Sequence, residues 1–109
     1  MKNISKEQMG ANAMSMVLLI LKREDSYGYA IMKELKEISL GRIIWKEGSL
    51  YPVLKKMETK KLIKSYWNVK DHDRPRKYYK ILKTGLDELE ELLEEHNFMM
   101  KIISTLKVK

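Results

Sequence analysis

Lys46-Glu47-Gly48-Ser49-Leu50-Tyr51-Pro52-Val53-Leu54-Lys55-Lys56-Met57-Glu58-Thr59-Lys60-Lys61-Leu62-Ile63 is the stretch on which the fold turns. Leu50, Val53, Leu54 and Met57 recur at the i, i+3/i+4, i+7 spacing that lines one face of a helix. The other face of a 3.6-residue wheel carries Ser49, Pro52, Lys55, Lys56 and Lys60, with Tyr51 beside it. An apolar back and a cationic, hydroxyl-bearing front suit a DNA major groove, where ammonium groups meet phosphates and short polar groups reach base edges. An amphipathic surface helix with a solvated lysine face shows the same pattern, so the flanking chain must separate the two. Pro52 has no N–H to donate and is tolerated in about the first turn, so the helix is expected to begin at Glu47 to Ser49. Glu47 then lies favourably at the positive end of the helix dipole.

C-terminal to this stretch the period changes from helical to alternating. Lys64–Val69 and Lys77–Leu82 are rich in aromatic and β-branched residues and read as two strands. Lys70-Asp71-His72-Asp73-Arg74-Pro75-Arg76 is a charged loop between them, with His72 read as simply exposed. Two strands alone are marginal in water, so Trp67, Val69, Tyr79 and Ile81 are expected to lean on helices. From Thr84 to Leu106 the helical period returns. Leu86, Leu89, Leu93, His96, Met100 and Ile103 alternate three and four residues apart as in a coiled-coil seam, widened by Leu92, Met99 and Leu106. This face is expected to dock on a second subunit, the alternative being a helix folded back on its own domain.

N-terminal to the central stretch, residues 1–5 read as a short disordered lead. Lys6–Arg23 has a helical stripe of Met9, Ala13, Met16/Val17 and Ile20/Leu21, and residues 16–21 are apolar nearly all round. Such a helix needs cover on every side, from the core or from a dimer mate. Ser26 or Asp25 is expected to cap a second helix over Tyr27–Ser39, with Ile31, Leu35 and Ile38 inward. Gly41 supplies its left-handed end. Ile43-Ile44-Trp45 reads as a short strand or tight connector.

The order helix, helix, basic helix, β-hairpin, helix is that of a winged helix-turn-helix, mainly α with a small β-hairpin. Residues 1–83 form the DNA-binding domain, including the N-terminal helix, and residues 84–109 a C-terminal dimerisation helix. A chain of 109 residues at 44% hydrophobic content supports one modest core, without a large enzyme cleft besides. Its net charge of +7 calls for a polyanionic partner. That charge is segregated: residues 45–64 and 70–83 each carry six cations against two acids, whereas 84–96 carry six acids and no Lys or Arg. The basic middle is expected on nucleic acid and the acidic helix away from it. The absence of cysteine suits a reducing cytoplasm. With no apolar leader and no membrane-length apolar run, a soluble cytoplasmic protein is expected. Two histidines, no cysteine, no nucleophile–base pair and no phosphate-cradling glycine loop leave nothing for catalysis, a cofactor or a metal site.

Tyr27-Gly28-Tyr29-Ala30-Ile31, Gly48-Ser49-Leu50-Tyr51-Pro52-Val53-Leu54, Leu62-Ile63, and Arg76-Lys77-Tyr78-Tyr79-Lys80 with Gly85 resemble PadR-type transcriptional regulators in order and spacing. The resemblance runs from about residue 14 to residue 106. The tail is similar to that of the subgroup with a single C-terminal helix. The family implies a homodimeric cytoplasmic repressor of a near-palindromic operator, released by a small, often aromatic or drug-like molecule, and no enzymatic activity. Three positions depart from its pattern. Tyr27 stands where histidine is common, Asp73-Arg74-Pro75 replaces a glycine pair in the wing, and Leu82 replaces the threonine that caps the last helix. Thr84-Gly85-Leu86-Asp87 offers a substitute capping box, which starts that helix two residues late.

The expected DNA-contacting residues are Tyr29, Lys46, Ser49, Tyr51, Pro52, Lys55, Lys56, Lys60, Arg74, Arg76 and Lys77. Ser49 and Tyr51 are the candidates for facing the groove, and the wing residues are positioning contacts. The dimer interface is expected to use Met16, Leu86, Leu89, Leu93, Met100 and Ile103. His96 occupies a seam position meant for an apolar residue. It is either a neutral, satisfied histidine at the dimer centre or part of an effector pocket between the subunits, walled by Met14, Leu18, Leu92, Leu93, Met99 and Met100, methionine suiting a pocket that adapts to several shapes. The competing function is a winged-helix interaction module, or an architectural DNA-binding protein without effector response.

Overall fold

A computed structural model describes residues 6–69 and 74–109. The wing residues 70–73, with His72, and the first five residues lie outside the described residues. The elements in chain order are α1 (Lys6–Arg23), β1 (Ser26–Tyr27), α2 (Gly28–Ile38), α3 (Glu47–Thr59), β2 (Ile63–Asn68), β3 (Arg76–Ile81) and α4 (Lys83–Lys107). The greasy middle of α1 is the spine of the core. Val17, Leu18, Ile20 and Leu21 meet Ile31 and Leu35 of α2, Leu50, Leu54 and Met57 of α3, Leu62, Ile63, Tyr79, and Leu89 of α4 in one cluster.

The sheet has three strands in the order β1-β3-β2, all antiparallel. The short β1 replaces the expected cap: Ser26 pairs with Tyr79 and Tyr27 with Tyr78. Ser26 is buried there, and α2 starts after Tyr27 without a side-chain cap. Strand pairing holds Ser26 and Tyr27 in extended backbone, and the helix follows directly from it. Ile31 and Leu35 point inward as expected, but Ile38 is 68% exposed because α2 has passed beyond the core by its last residue. Leu40 (φ 55°) and Gly41 (φ 83°) both turn left-handed, and the Gly41 N–H donates to the Lys36 carbonyl at 2.8 Å. Ile43–Trp45 is a connector, not a strand.

Helix α3 begins at Glu47, within the expected Glu47–Ser49, so Pro52 is its sixth residue, just past the first turn. The bond Pro52 cannot make belongs to the Gly48 carbonyl, and Gly48 is exposed, so water can serve it. Both strands start one residue earlier than the composition suggests, with Ile63↔Ile81, Ser65↔Tyr79 and Trp67↔Lys77 in register. Alternation turns these three pairs toward the helices. Tyr79 is buried and Ile81 half-buried, but Trp67 is 65% exposed and Val69, just past β2, is exposed too. The expectation that Trp67 and Val69 prop the hairpin on the helices is therefore corrected: the wing outruns the helices beneath it.

The start of α4 also differs. Leu82 occupies the cap position, the helix opens at Lys83, and the Thr84 hydroxyl donates to the Lys61 carbonyl instead of forming a capping box. Lys61 turns left-handed (φ 61°), and the Leu82 N–H donates to the Leu62 carbonyl at 2.9 Å. Gly85 sits directly on that turn: a Cβ built on it falls 2.2 Å from the Leu62 oxygen and 2.8 Å from Ile81 Cγ1. Gly85 and Leu89 are buried in the common core and Leu92 and Leu93 are half-buried, whereas every residue from Glu94 onward is exposed. Gly85, Leu89, Leu92 and Leu93 thus seat the first part of α4 on the common core, and the exposed remainder extends past it.

Because Gly85 meets backbone rather than a movable side chain, Gly85→Ala is expected to lower folding stability by about 3 kcal/mol in thermal or urea melts. Gly10 of α1 has open space around its Cβ position, so Gly10→Ala in the same assay should raise stability by about 0.5–1 kcal/mol. Equal effects at the two sites would contradict the close approach at Gly85.

Candidate nucleic-acid interface

The buried stripe of α3 (Leu50, Leu54, Met57) fixes which of its residues face outward. Gly48, Ser49, Tyr51, Pro52, Lys55, Lys56, Thr59 and Lys60 are all exposed. The helix divides them among three directions. Tyr51 and Glu58 turn toward the sheet, Ser49 and Lys56 turn toward α1, and Pro52 and Lys55 crown the ridge between. Among the described residues, Lys46, Lys55, Lys56 and Lys60 form no ion pair, so their charge is uncompensated.

On the sheet side, Tyr29, Tyr51, Arg74, Arg76 and Lys77 line one cleft of about 690 Å³ together with Tyr27, Gly28, Glu47, Trp67 and Pro75. Five of the expected DNA residues therefore come together. Gly28 admits Tyr51 to this wall, since a Cβ there would fall 2.5 Å from the Tyr51 hydroxyl. Lys46, Ser49 and Lys56 open instead onto a second concavity, of about 660 Å³, with Met14, Ile44, Trp45, Val53 and Leu92 among its walls.

The wing is tied to the helices by polar contacts. Ser65 donates to Glu58 Oε2 at 3.0 Å, and Lys77 Nζ lies 4.0 Å from the other Glu58 oxygen. On the outer face Tyr27, Tyr78 and Tyr66 form a row across the three strands, with centroids 5.1 Å and 5.9 Å apart. Arg76 donates to the Tyr27 hydroxyl at 2.6 Å and lies over that ring, while Tyr66 donates to Asp25 Oδ2 at 2.6 Å. The hydrogen bond to the Asp25 carboxylate, with desolvation and the carboxylate's charge added, pushes the Tyr66 phenol up to about 12. Tyr79 is also pushed up to about 12, by burial first and then by Glu58 and Tyr51. Arg76 and Lys77 thus already have partners in the chain, unlike the lysines of α3.

Of the expected interface residues, Leu86, Met100 and Ile103 are exposed and Met16 and Leu93 half-buried. Leu89 is corrected: at 2% exposure it is spent on its own core and has no surface for a partner. The residues expected to wall a pocket between subunits are spread over α1 and α4. Leu18 is fully buried. Met14 and Leu92 open onto the concavity beside α3, whereas Leu93 and His96 line another of about 520 Å³ with Met9, Asn12, Ser15, Met16, Leu19 and Ile43. Met99 lies on a shallow surface with Phe98, and Met100 is exposed. The pocket residues therefore surround α1 and α4 and do not meet in one chamber of a single chain.

Residues 17–91 match the model of the PadR-like transcriptional regulator family. The chain belongs to that family. PadR-like proteins are transcriptional regulators and not enzymes. An uncharacterised protein of Lysinibacillus sphaericus is 33% identical over 89 residues, 82% of each chain. A PadR family transcription regulator from hypervirulent Clostridium difficile is 36% identical, with a TM-score of 0.77 over 87% of this chain and 97% of that one. A transcriptional regulator from Clostridium thermocellum superposes with a TM-score of 0.84 at 27% identity, over 92% of this chain and 97% of that one.

In this PadR-like chain the cleft residue that periodicity misplaced is Trp67. The register Trp67↔Lys77, which the fold alone reveals, pairs the indole with a cation instead of a core side chain. Among the described residues no helix is long and apolar enough to cross a membrane, and no group of three or more His, Asp or Glu is placed to hold a metal.

The two shifted phenols predict an alkaline signature. A group whose folded pKa is raised contributes stability that is complete below its unfolded pKa of about 10 and is lost as pH rises through about 12. Phenolate absorbance should show two late steps, from Tyr66 and Tyr79. Tyr66→Phe should remove one late step and soften the loss of stability above pH 10. Six superimposed ordinary titrations would contradict the Tyr66–Asp25 bond.

Proposed function

We propose that this PadR-like chain is a homodimeric cytoplasmic repressor whose α3 and wing hold operator DNA and whose grip is released by a small molecule. One observation carries the reading: Lys55 on the ridge of α3, with Lys56 and Lys60 on its flank, stands exposed and, among the described residues, unpaired beside the cationic cleft, while the six acids of residues 84–96 are confined to α4. Such segregation suits a partner with one dense line of negative charge. The DNA-contacting set is Tyr29, Lys46, Ser49, Tyr51, Pro52, Lys55, Lys56, Lys60, Arg74, Arg76 and Lys77. The α3 lysines and the wing neutralise phosphates, while Ser49 and Tyr51 flank the ridge within reach of base edges.

The dimer reading rests on the free part of α4. Phe98, Met99, Met100, Ile102, Ile103 and Leu106 are large, apolar and exposed on a helix that has left its own core. Monomers rarely expose so contiguous an apolar face, and a second copy with the same face is its simplest cover. Residues 84–109 are accordingly the dimerisation segment, with residues 84–93 anchoring it to the DNA-binding unit of residues 1–83. A two-fold arrangement sets the two α3 helices about 34–36 Å apart, in successive major grooves. Met14, Leu92, Leu93, His96, Met99 and Met100 are split over separate concavities in one chain, so the effector pocket is one that the partner's α4 completes. Its walls favour a drug-like or aromatic molecule.

Anisotropy titrations with duplex from upstream of the gene, against a shuffled duplex, test this reading. Lys55, Lys56, Lys60 and Arg74, unpaired among the described residues, neutralise about eight phosphates per dimer, which gives a log–log salt slope of roughly −7. Lys55→Ala with Lys56→Ala should weaken both duplexes by the same factor and cut that slope by about half. Ser49→Ala or Tyr51→Ala should narrow the gap between the duplexes. A silent lysine pair would contradict the orientation of α3, and equal wild-type affinity for both duplexes would leave an architectural DNA-binding protein.

A further inference from the structure

Trp67 has no role in the core, in the dimer reading or in the DNA-contacting set above. Its place follows from the pleat. Counting along the inner face of the hairpin, Ile63↔Ile81 lies in the core and Ser65↔Tyr79 meets Glu58. The third pair, Trp67↔Lys77, emerges past the end of the helices into the cleft between the wing and the starts of α2 and α3. An aromatic side chain left 65% exposed forgoes most of the stabilisation that burial would give it. Its indole N–H, a donor only, has no partner among the described residues.

The rest of the cleft defines what completes it. Tyr29 and Tyr51 supply further aromatic surface, and the lining sets Arg74, Arg76 and Lys77 against one carboxylate, Glu47, with Glu58 4.0 Å from Lys77 outside it. An occupant must therefore combine apolar surface with negative charge. The cleft also adjoins the cationic ridge of α3, because Tyr51 lines the cleft and flanks that ridge. A deoxyribose–phosphate strand answers both requirements: its sugars offer an aliphatic face and its phosphates accept hydrogen bonds. We propose that this cleft seats the DNA backbone strand running between α3 and the wing, with Trp67 packing on a deoxyribose and donating its indole N–H to a phosphate. The proposal rests on the DNA-binding reading and deepens it. It assigns Trp67 to sequence-independent grip rather than to reading bases.

The protein holds two tryptophans, Trp45 and Trp67, so Trp45→Phe leaves Trp67 as the only indole reporter. Saturation with either the upstream or the shuffled duplex should quench or blue-shift its emission. Trp67→Ala, made in the otherwise unaltered chain, should weaken both duplexes by the same factor, about tenfold, with no change in melting temperature. Trp67→Phe keeps a ring but lacks the N–H, and should recover part of the loss. Unchanged Trp67 emission at saturation, or wild-type affinity in Trp67→Ala, overturns the proposal while leaving DNA binding intact. Loss confined to the upstream duplex makes Trp67 a base reader and overturns the backbone assignment. A wild-type chain that binds neither duplex removes the DNA reading itself, and this proposal falls with it.

Discussion

The contact on which the architecture depends is the approach of Gly85 to the Leu62 carbonyl. Four elements meet there: the end of α3, the start of β2, the end of β3 and the start of α4. Leu62 accepts the Leu82 N–H, Lys61 accepts the Thr84 hydroxyl, and the missing side chain at Gly85 lets α4 lie against the turn. Backbone-to-backbone contacts of this kind have little room to adjust. The direction in which α4 leaves the core is therefore tied to the direction in which α3 enters it. In the proposed dimer that junction converts pairing of the α4 helices into a defined spacing of the α3 helices.

A second layer of contacts sets the wing. Glu58 belongs to α3 yet holds Ser65 and lies beside Lys77 on the sheet, while Tyr66 reaches Asp25 ahead of β1 and Arg76 reaches Tyr27. Most of these groups are partly exposed, and each such contact contributes on the order of 1 kcal/mol or less. Their value is geometric. Together they hold the cationic end of the hairpin at a fixed distance from α3, and so give the cleft its two walls.

Much of this organisation was legible in the residue order. The 3.6 period of α1, α3 and α4 and the change to alternation after Ile63 gave the winged helix-turn-helix, and Leu50, Leu54 and Met57 gave the inward face of α3. What could not be read has common physical causes. A two-residue strand such as Ser26–Tyr27 has no periodicity to detect and exists only because β3 is there to pair with it. Alternation says which residues share a face, but not where the supporting helices stop, which is why Trp67 and Val69 were misplaced. Leu89 has the spacing of a surface-seam residue, and only three-dimensional packing reveals that its own core consumes it. His96 and the methionines around α1 and α4 share one helical stripe in sequence, and only the packing of α4 on α1 shows that they divide among separate concavities.

The dimer reading is the premise that links α4 to DNA, and it is open to one direct measurement. Sedimentation velocity of the purified full chain over a range of concentrations should give a species of twice the chain mass. The variant Ile103→Glu, altered on the exposed part of α4 and outside the core, should sediment as a folded single chain. A wild-type protein that stays monomeric even when concentrated would contradict the pairing of α4 and, with it, the spacing of the two α3 helices.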